Sequence, residues 1–206
     1  MIVTRIESCQ AFLRLEGEWQ ELQKESGTLP FTSFEWNAAW WRHLARHKLG
    51  VTDRLFVHTA RSDSGELLGV APLMLTYMPS RGPIRVRCLQ FLGADPNITE
   101  VRGVLCRPEH ELEVYRSLSA HLFEHSDQWD FLIWDGLRAD SDVTRVLAQQ
   151  AKLDITKEIP VFLLKLAPTW EEFKSTRSRN VKESLRKCAN SLKRANLVPV
   201  FKVVTG

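Results

Sequence analysis

Asp95 and Asn97 lie between two runs read as strands, residues 84–92 and 98–105, and Glu100 stands close by at the start of the second. A carboxylate at a strand end, its pKa raised by burial, can take a proton from an attacking hydroxyl or amine. Glu100 is the candidate base, and Asp95 and Asn97 are candidate substrate contacts. The same residue types are also ordinary turn formers, so plain turn chemistry is the competing reading. Trp36, Trp40 and Trp41 stand together in a second segment. Indoles make stacking platforms for sugar rings or bases, but at helical spacing they more often pack a core. Trp36 is the one expected to face a cleft.

Two histidine pairs, His43/His47 and His121/His125, have the four-residue spacing that lets a helix chelate a metal. Neither is an H-E-x-x-H motif and neither has an evident third ligand, so no metal site is expected. Cys9, Cys88, Cys106 and Cys188 are scattered without a C-x-x-C pair. That speaks against a disulfide framework or zinc knuckle and fits a reducing, cytoplasmic setting. There is no G-x-S-x-G elbow and no Walker loop, which leaves hydrolase and nucleotidase readings without support. No apolar run reaches the ~18–20 residues of a membrane-spanning helix, and the N-terminus lacks a signal-peptide pattern.

The elements that must position these residues follow from periodicity. Ser8 can cap a helix whose Phe12, Leu15, Trp19 and Leu22 share a face. Ser33 can cap a second, with Trp36, Trp40 and Leu44 on one side. Residues 55–60 and 67–75 read as a hairpin around the turn SDSGE, with Pro72 marking an edge position or a bulge. Further strands follow at 84–92 and 98–105. A helix carries Leu112, Tyr115, Leu118 and Leu122, WDFLIWDGL reads as a buried strand, and a helix holds Val143 and Leu147. This order predicts a mixed α/β domain: a largely antiparallel sheet flanked by helices.

The C-terminal stretch differs in charge. Residues 169–205 carry nine Lys and Arg against three Glu, while the remainder is net negative. Thr169 and Glu172 form a T-x-x-E capping box. Behind them runs a basic amphipathic helix, expected to bend near 175–178, where Ser and Thr compete for backbone hydrogen bonds. Arg179, Lys182, Arg186 and Lys193 share its basic face. Arg177 sits at the margin of the apolar stripe, so it is expected to meet a carboxylate or a ligand anion. A strand is expected at 199–204. The domain reading is residues 1–166 as one unit and 167–206 as the opening helix and strand of a second, incomplete one.

These elements in this order resemble the GNAT-type acyltransferases of the cellulose-biosynthesis CelD kind, relatives of the FemAB peptidyltransferases. PFTSFEWNAAWWRHL resembles the family's opening helix. GELLGVAPLML followed by LQFLGADPNITEV is similar to its hairpin and strand end. WDFLIWDGL with TWEEFKSTRSRNVKESLRKCANSLKR resembles its bridge into a second domain. The resemblance implies two GNAT-like domains in tandem, of which this chain covers the first and the start of the second. It implies transfer of an acyl group, acetyl from acetyl-CoA, to an amine or hydroxyl on a carbohydrate or cell-envelope precursor. Acetyl-CoA would be a co-substrate rather than a permanently bound cofactor. Arg177, Asn180 and Arg186 match bridging-helix positions and would contact the donor or the interdomain cleft.

Gln90-Phe-Leu-Gly93-Ala94-Asp95 approaches the family's [RQ]-x-x-G-x-[GA] pyrophosphate cradle but ends in Asp, which repels phosphate, and leads into a proline loop. It reads as a strand end and turn. Without a complete cradle, the chain by itself is expected not to turn over acetyl-CoA. The competing reading is a non-catalytic module of a tandem protein that binds a partner or a sugar. Nucleic-acid binding is the weakest reading, because the main body is net negative and no aromatic interleaves the basic stripe.

Overall fold

The computed structural model describes residues 1–26, 30–79, 82–94, 99, 102–135, 142–150, 160, 164–200 and 202. The chain divides into two compact units, Met1–Glu158 and Ile159–Gly206.

In the first unit, β1 (Ile2–Ile6) leads to α1 (Cys9–Arg14) and α2 (Glu16–Ser26), and α3 (Phe34–Leu44) follows. Ser8 and Ser33 cap α1 and α3 as expected, their hydroxyls accepting from Ala11 N and Trp36 N, each at 3.1 Å. Short β2 (His47–Lys48) precedes β3 (Val51–Leu55) and β4 (Val57–Arg61). Then come β5 (Leu67–Ala71), β6 (Leu73–Met78), β7 (Val86–Phe91) and β8 (Leu105–Cys106). The unit continues with α4 (Glu111–Glu124), β9 (Phe131–Ile133) and α5 (Asp142–Gln150).

The strands form two hydrogen-bonded halves, β1-β4-β5-β8 and β2-β3-β6-β7-β9. Phe56 separates β3 from β4, and Pro72, which has no N–H to give a ladder, separates β5 from β6. The halves stay joined because Phe56 N donates to Leu73 O (3.0 Å) and Leu92 N to Pro72 O (2.7 Å). Pro72 therefore marks an interruption in the middle of the sheet, not an edge. Pairing among the described strands is antiparallel except β7 with β9, which run parallel in the register Cys88↔Phe131, Leu89↔Leu132, Gln90↔Ile133. The architecture is thus a mixed α/β one, a largely antiparallel sheet with helices against it.

Strand alternation sends successive side chains to opposite faces. On one face Leu55, Val57, Val70 and Met74 pack with Phe12, Leu15, Trp19, Leu22, Phe34 and Trp40 of α1–α3. On the other, Phe56, Leu68, Leu73, Leu75, Leu89 and Phe91 pack with Val114, Leu118 and Leu122 of α4. The expected α4 face holds, except that Leu112 is 39% exposed. Gly69 lets α4 approach: a Cβ there would lie 2.5 Å from Val114 Cγ1. Val143 and Leu147 of α5 add a smaller cluster around Tyr115.

Two strand expectations change. WDFLIWDGL contributes only β9, an edge strand whose Phe131 and Ile133 are 38% and 42% exposed, not a buried strand. Of the run 98–105, the described strand is β8 alone.

In the second unit the expected bend is a break. Helix α6 (Trp170–Ser175) ends and α7 (Arg179–Arg194) starts anew, capped by Ser178. Thr169 Oγ1 accepts from Glu172 N at 3.2 Å, one half of the expected capping box. No residue of α6 or α7 is buried. Residues 197–200 and 202 are not in a strand, and residues 201, 203 and 204 of the strand expected at 199–204 lie outside the described residues.

Candidate functional site

The face of the sheet that α1–α3 cover is not covered to its edge. Met74, Thr76 and Met78 on β6, and Cys88 and Gln90 on β7, point to this face by the pleat. Beyond Trp40 and Leu44 of α3 the helices stop, and a cavity of about 600 Å³ remains. Met74, Met78, Cys88, Phe131 and Ile133 give it apolar walls, and Arg46, Gln90 and Ala94 add polar groups and backbone. It lies along the parallel pair β7–β9, from Met78 and Phe131 to Ala94 beyond the carboxyl end of β7.

A hydrogen-bonded chain fixes the polar side. Asp53, whose side chain is fully buried, accepts from Arg46 Nε (3.0 Å), Arg46 Nη2 (3.1 Å), Arg46 backbone N (2.8 Å) and Thr76 Oγ1 (2.7 Å). Gln90 Nε2 donates to Thr76 Oγ1 at 2.8 Å. The guanidinium is thus held as a fork on a buried carboxylate and presented at the cavity with hydrogens to spare on Nη1. Cys88 also lines the cavity, but burial pushes its thiol up to about 11. It is a neutral thiol at physiological pH and a poor nucleophile.

At the carboxyl ends of β7 and β9 a second polar group ties the strands together. Arg102 Nη1 donates to Gly93 O and its Nη2 pairs with Asp135, each at 2.8 Å. Arg102 Nε and the neighbouring Trp134 Nε1 are buried without a hydrogen-bond partner. Gly93 turns with φ +78°, and a Cβ there would lie 2.6 Å from Thr99 Oγ1. Only glycine suits this backbone and this contact. Ala94, the last described residue of this turn, is not helical, and the Gln90 amide is engaged within the sheet. The described part of QFLGAD is therefore a strand end and turn.

Trp36 is half-buried, packs edge-on against Phe31 (5.0 Å between ring centroids) and donates from Nε1 to Thr99 Oγ1 at 3.3 Å. It stands next to the Gly93 turn, whereas Trp40 is core and lines the cavity. Asn37, rather than Trp36 or the 40% exposed Leu44, shares the buried face of α3 with Phe34 and Trp40. Asp95, Asn97 and Glu100 lie outside the described residues.

In the second unit, Arg177 meets no carboxylate among the described residues. Its guanidinium stacks 4.6 Å over the Phe173 ring, and its Nη2 donates to Thr176 Oγ1 at 2.9 Å. The break between α6 and α7 turns its side chain back on α6, onto the ring face. Asn180 and Arg186 are exposed. Lys182 of the basic face donates to Ser175 O at 2.8 Å.

Sequence reasoning did not find Arg46, Asp53, Thr76, Arg102 or Asp135. Asp53 had a signal, a carboxylate within an otherwise strand-like run. Arg102 had none, because its partners come from two other segments.

No protein-family model matches the chain, and no curated protein does. Among solved structures it is similar to a mutant of the BH1408 protein from Bacillus halodurans, at 11% identity and TM-score 0.42, over 80% of this chain and 100% of that one. It is also similar to the aminoglycoside 6'-N-acetyltransferase AAC(6')-Ih from Acinetobacter baumannii, at 10% identity and TM-score 0.39, over 81% and 100%. A third is the ribosomal-protein-alanine N-acetyltransferase from Brucella melitensis biovar Abortus 2308, at 16% identity and TM-score 0.37, over 78% and 99%. Overlap of this degree assigns neither family nor activity.

Proposed function

We propose that the chain is the N-terminal part of a GNAT-type acyltransferase of the FemAB-like, CelD kind. It would act in the cytoplasm and move an acetyl group from acetyl-CoA to an amine or hydroxyl of a carbohydrate or cell-envelope precursor. The observation that carries this reading is the cavity beside the parallel pair β7–β9. In α/β sheets, ligands bind outside the carboxyl ends of parallel strands. An apolar cleft of this size suits the arm and acyl group of a thioester. The unpartnered Trp40 Nε1 in the cavity lining and Arg102 Nε at the strand ends support a polar ligand group there. A buried N–H left without a partner costs about 1–3 kcal/mol, which a ligand oxygen would recover.

In this reaction the acceptor nitrogen or oxygen attacks the thioester carbonyl and the C–S bond breaks. The thiolate leaves as CoA, and the acceptor's proton passes to a base, for which Glu100 is the candidate. Transfer is direct, since the Cys88 thiol is held neutral and forms no ready acyl-enzyme. Trp36 is assigned as a platform for the acceptor, with Asp95 and Asn97 as its polar contacts. Arg177, Asn180 and Arg186 are assigned to an anionic group of the donor or to interdomain contact.

One observation favours a non-catalytic binding module instead: among the described residues the cavity lining contains no carboxylate and no imidazole. Calorimetric titration of the chain with acetyl-CoA, and separately with a panel of amine and sugar-hydroxyl acceptors, separates the two. Binding weakened tenfold or more by Ile133→Arg, at an edge position that tolerates charge, supports a donor site in the cavity. Binding of an acceptor without binding of acetyl-CoA favours the module. No binding at all, or binding indifferent to Ile133→Arg, removes the donor site from this cavity.

A further inference from the structure

The C-terminal turn of α4 gathers three potential ligands outside the cavity. His121 and Glu124 are three residues apart, and His125 follows as the C-cap, so all three project from one side of the helix. One ligand atom from each lies within 4.8 Å of the other two. The third donor missing from the histidine spacing alone is Glu124, which the chain places beside His125.

We infer that His121, Glu124 and His125 form a binding site for a first-row divalent cation of the zinc type. Two imidazole nitrogens and one carboxylate oxygen are the donor set zinc takes in three-ligand sites, which leave a fourth position to water.

The surroundings prepare the ligands. His125 Nδ1 lies 2.9 Å from His121 O, and its N–H donates to that carbonyl, which leaves Nε2 with its lone pair for a metal. A ligating histidine is held in this way, its second nitrogen fixed by a backbone carbonyl. The imidazoles of His121 and His125 are already 4.4 Å apart, centroid to centroid. Under them lies His58 of β4, buried, with its ring 5.4 Å from that of His121. His58 Nδ1 sits 2.9 Å from Phe56 O, so this ring too is fixed, and it backs the site with a rigid wall. The last carbonyls of a helix carry partial negative charge, which favours a cation there. The opposing charge is Arg5 of β1, which pairs with Glu7 at 3.3 Å, bonds Gln128 and stacks over Phe56 at 4.8 Å. The ligands are reachable: His121 and His125 are partly exposed and Glu124 is exposed.

The test uses the whole chain with Cys9 and Cys188 changed to Ser, so that exposed thiols do not compete for metal. Titration with zinc chloride alone should show one saturable equivalent per chain and raise the melting temperature. Cobalt(II) should give the visible absorption of a four-coordinate nitrogen–oxygen site. His121→Ala and His125→Asn should each weaken binding by more than the roughly tenfold that loss of an outer partner costs. Glu124→Gln should weaken it too. The double change His43→Ala with His47→Ala should leave it intact. His125→Asn keeps a residue suited to a helix end, so a folding defect in His121→Ala would leave the test standing. Absence of one-to-one binding overturns the site. So does binding that survives His125→Asn and Glu124→Gln, or that vanishes with the His43/His47 pair.

Discussion

At the scale of single residues, burial decides what each chemically able group can do. Cys88 and Cys106 are kept as neutral thiols, at about 11 and about 12, chiefly by desolvation. His58 is 1% exposed and is pushed the other way, down to about 4, mainly by burial and further by His121, Arg5 and His125 around it. An unfolded histidine takes a proton near pH 6.5, while the folded one resists until about pH 4. The unfolded chain therefore holds more protons between these values. Stability is full above about pH 6.5 and declines as the pH falls toward 4. The contribution at stake is about 3 kcal/mol, from 1.36 kcal/mol per pKa unit. Urea unfolding of the metal-free chain at pH 7 and pH 4.5 should show this loss, and His58→Asn should flatten it. An equal slope in the variant would place the acid sensitivity elsewhere.

At the scale of elements, the link between β3, β6 and β7 is polar where a hydrophobic contact would be ordinary. Asp53 is enclosed, and Arg46, 41% exposed by side chain, is its charged partner. Arg46→Ala should strand the carboxylate and cost about 3 kcal/mol, the lower end for breaking a buried pair. Asp53→Ala leaves Thr76 and the Arg46 amide without their acceptor, so it too destabilises. The double variant should cost less than the two singles together, by on the order of 1 kcal/mol. Strict additivity in denaturant titrations would mean that the two side chains act independently. The helices on this face are set by more local devices. The serine caps of α1 and α3 are expressed in the fold, and Phe12, Leu15, Trp19 and Leu22 share a buried cluster, although the single helix expected there is two, α1 and α2, divided at Leu15.

At the scale of the whole molecule, the two units differ in how they hold together. The first has two sheet-face cores. In α6 and α7 no side chain is buried, and Val181 and Leu192 are 42% and 39% exposed. Segments with few buried contacts open at low free-energy cost and are cut first. Trypsin at low dose should therefore cleave after Lys174, Arg177 or Arg179 before any site in β1 to α4, with fragments identified by mass. Early cleavage within β4 to β7 would contradict the core assignment.

The sequence by itself determined the elements that depend on neighbours along the chain. Ser8, Ser33 and Thr169 announce helix starts because capping is a bond across three residues. The apolar spacing of α2 and α4 announces buried faces because a helix returns every three to four residues. The mixed α/β class followed from that order. Only the tertiary structure decided what depends on distant segments meeting. Gln90, Thr76, Asp53 and Arg46 join across three strands whose pairing no local pattern states. Arg102 reaches Gly93 and Asp135 from different parts of the chain. Pro72 became a mid-sheet interruption because its strand pairs on both sides, and WDFLIWDGL became an exposed edge because no described strand pairs beyond β9. The Arg177–Phe173 stacking depends on the α6–α7 break, which turns the guanidinium back on α6. Hydrogen-bond chemistry within a turn is local and legible, whereas which side chains share a cavity is settled by topology and register.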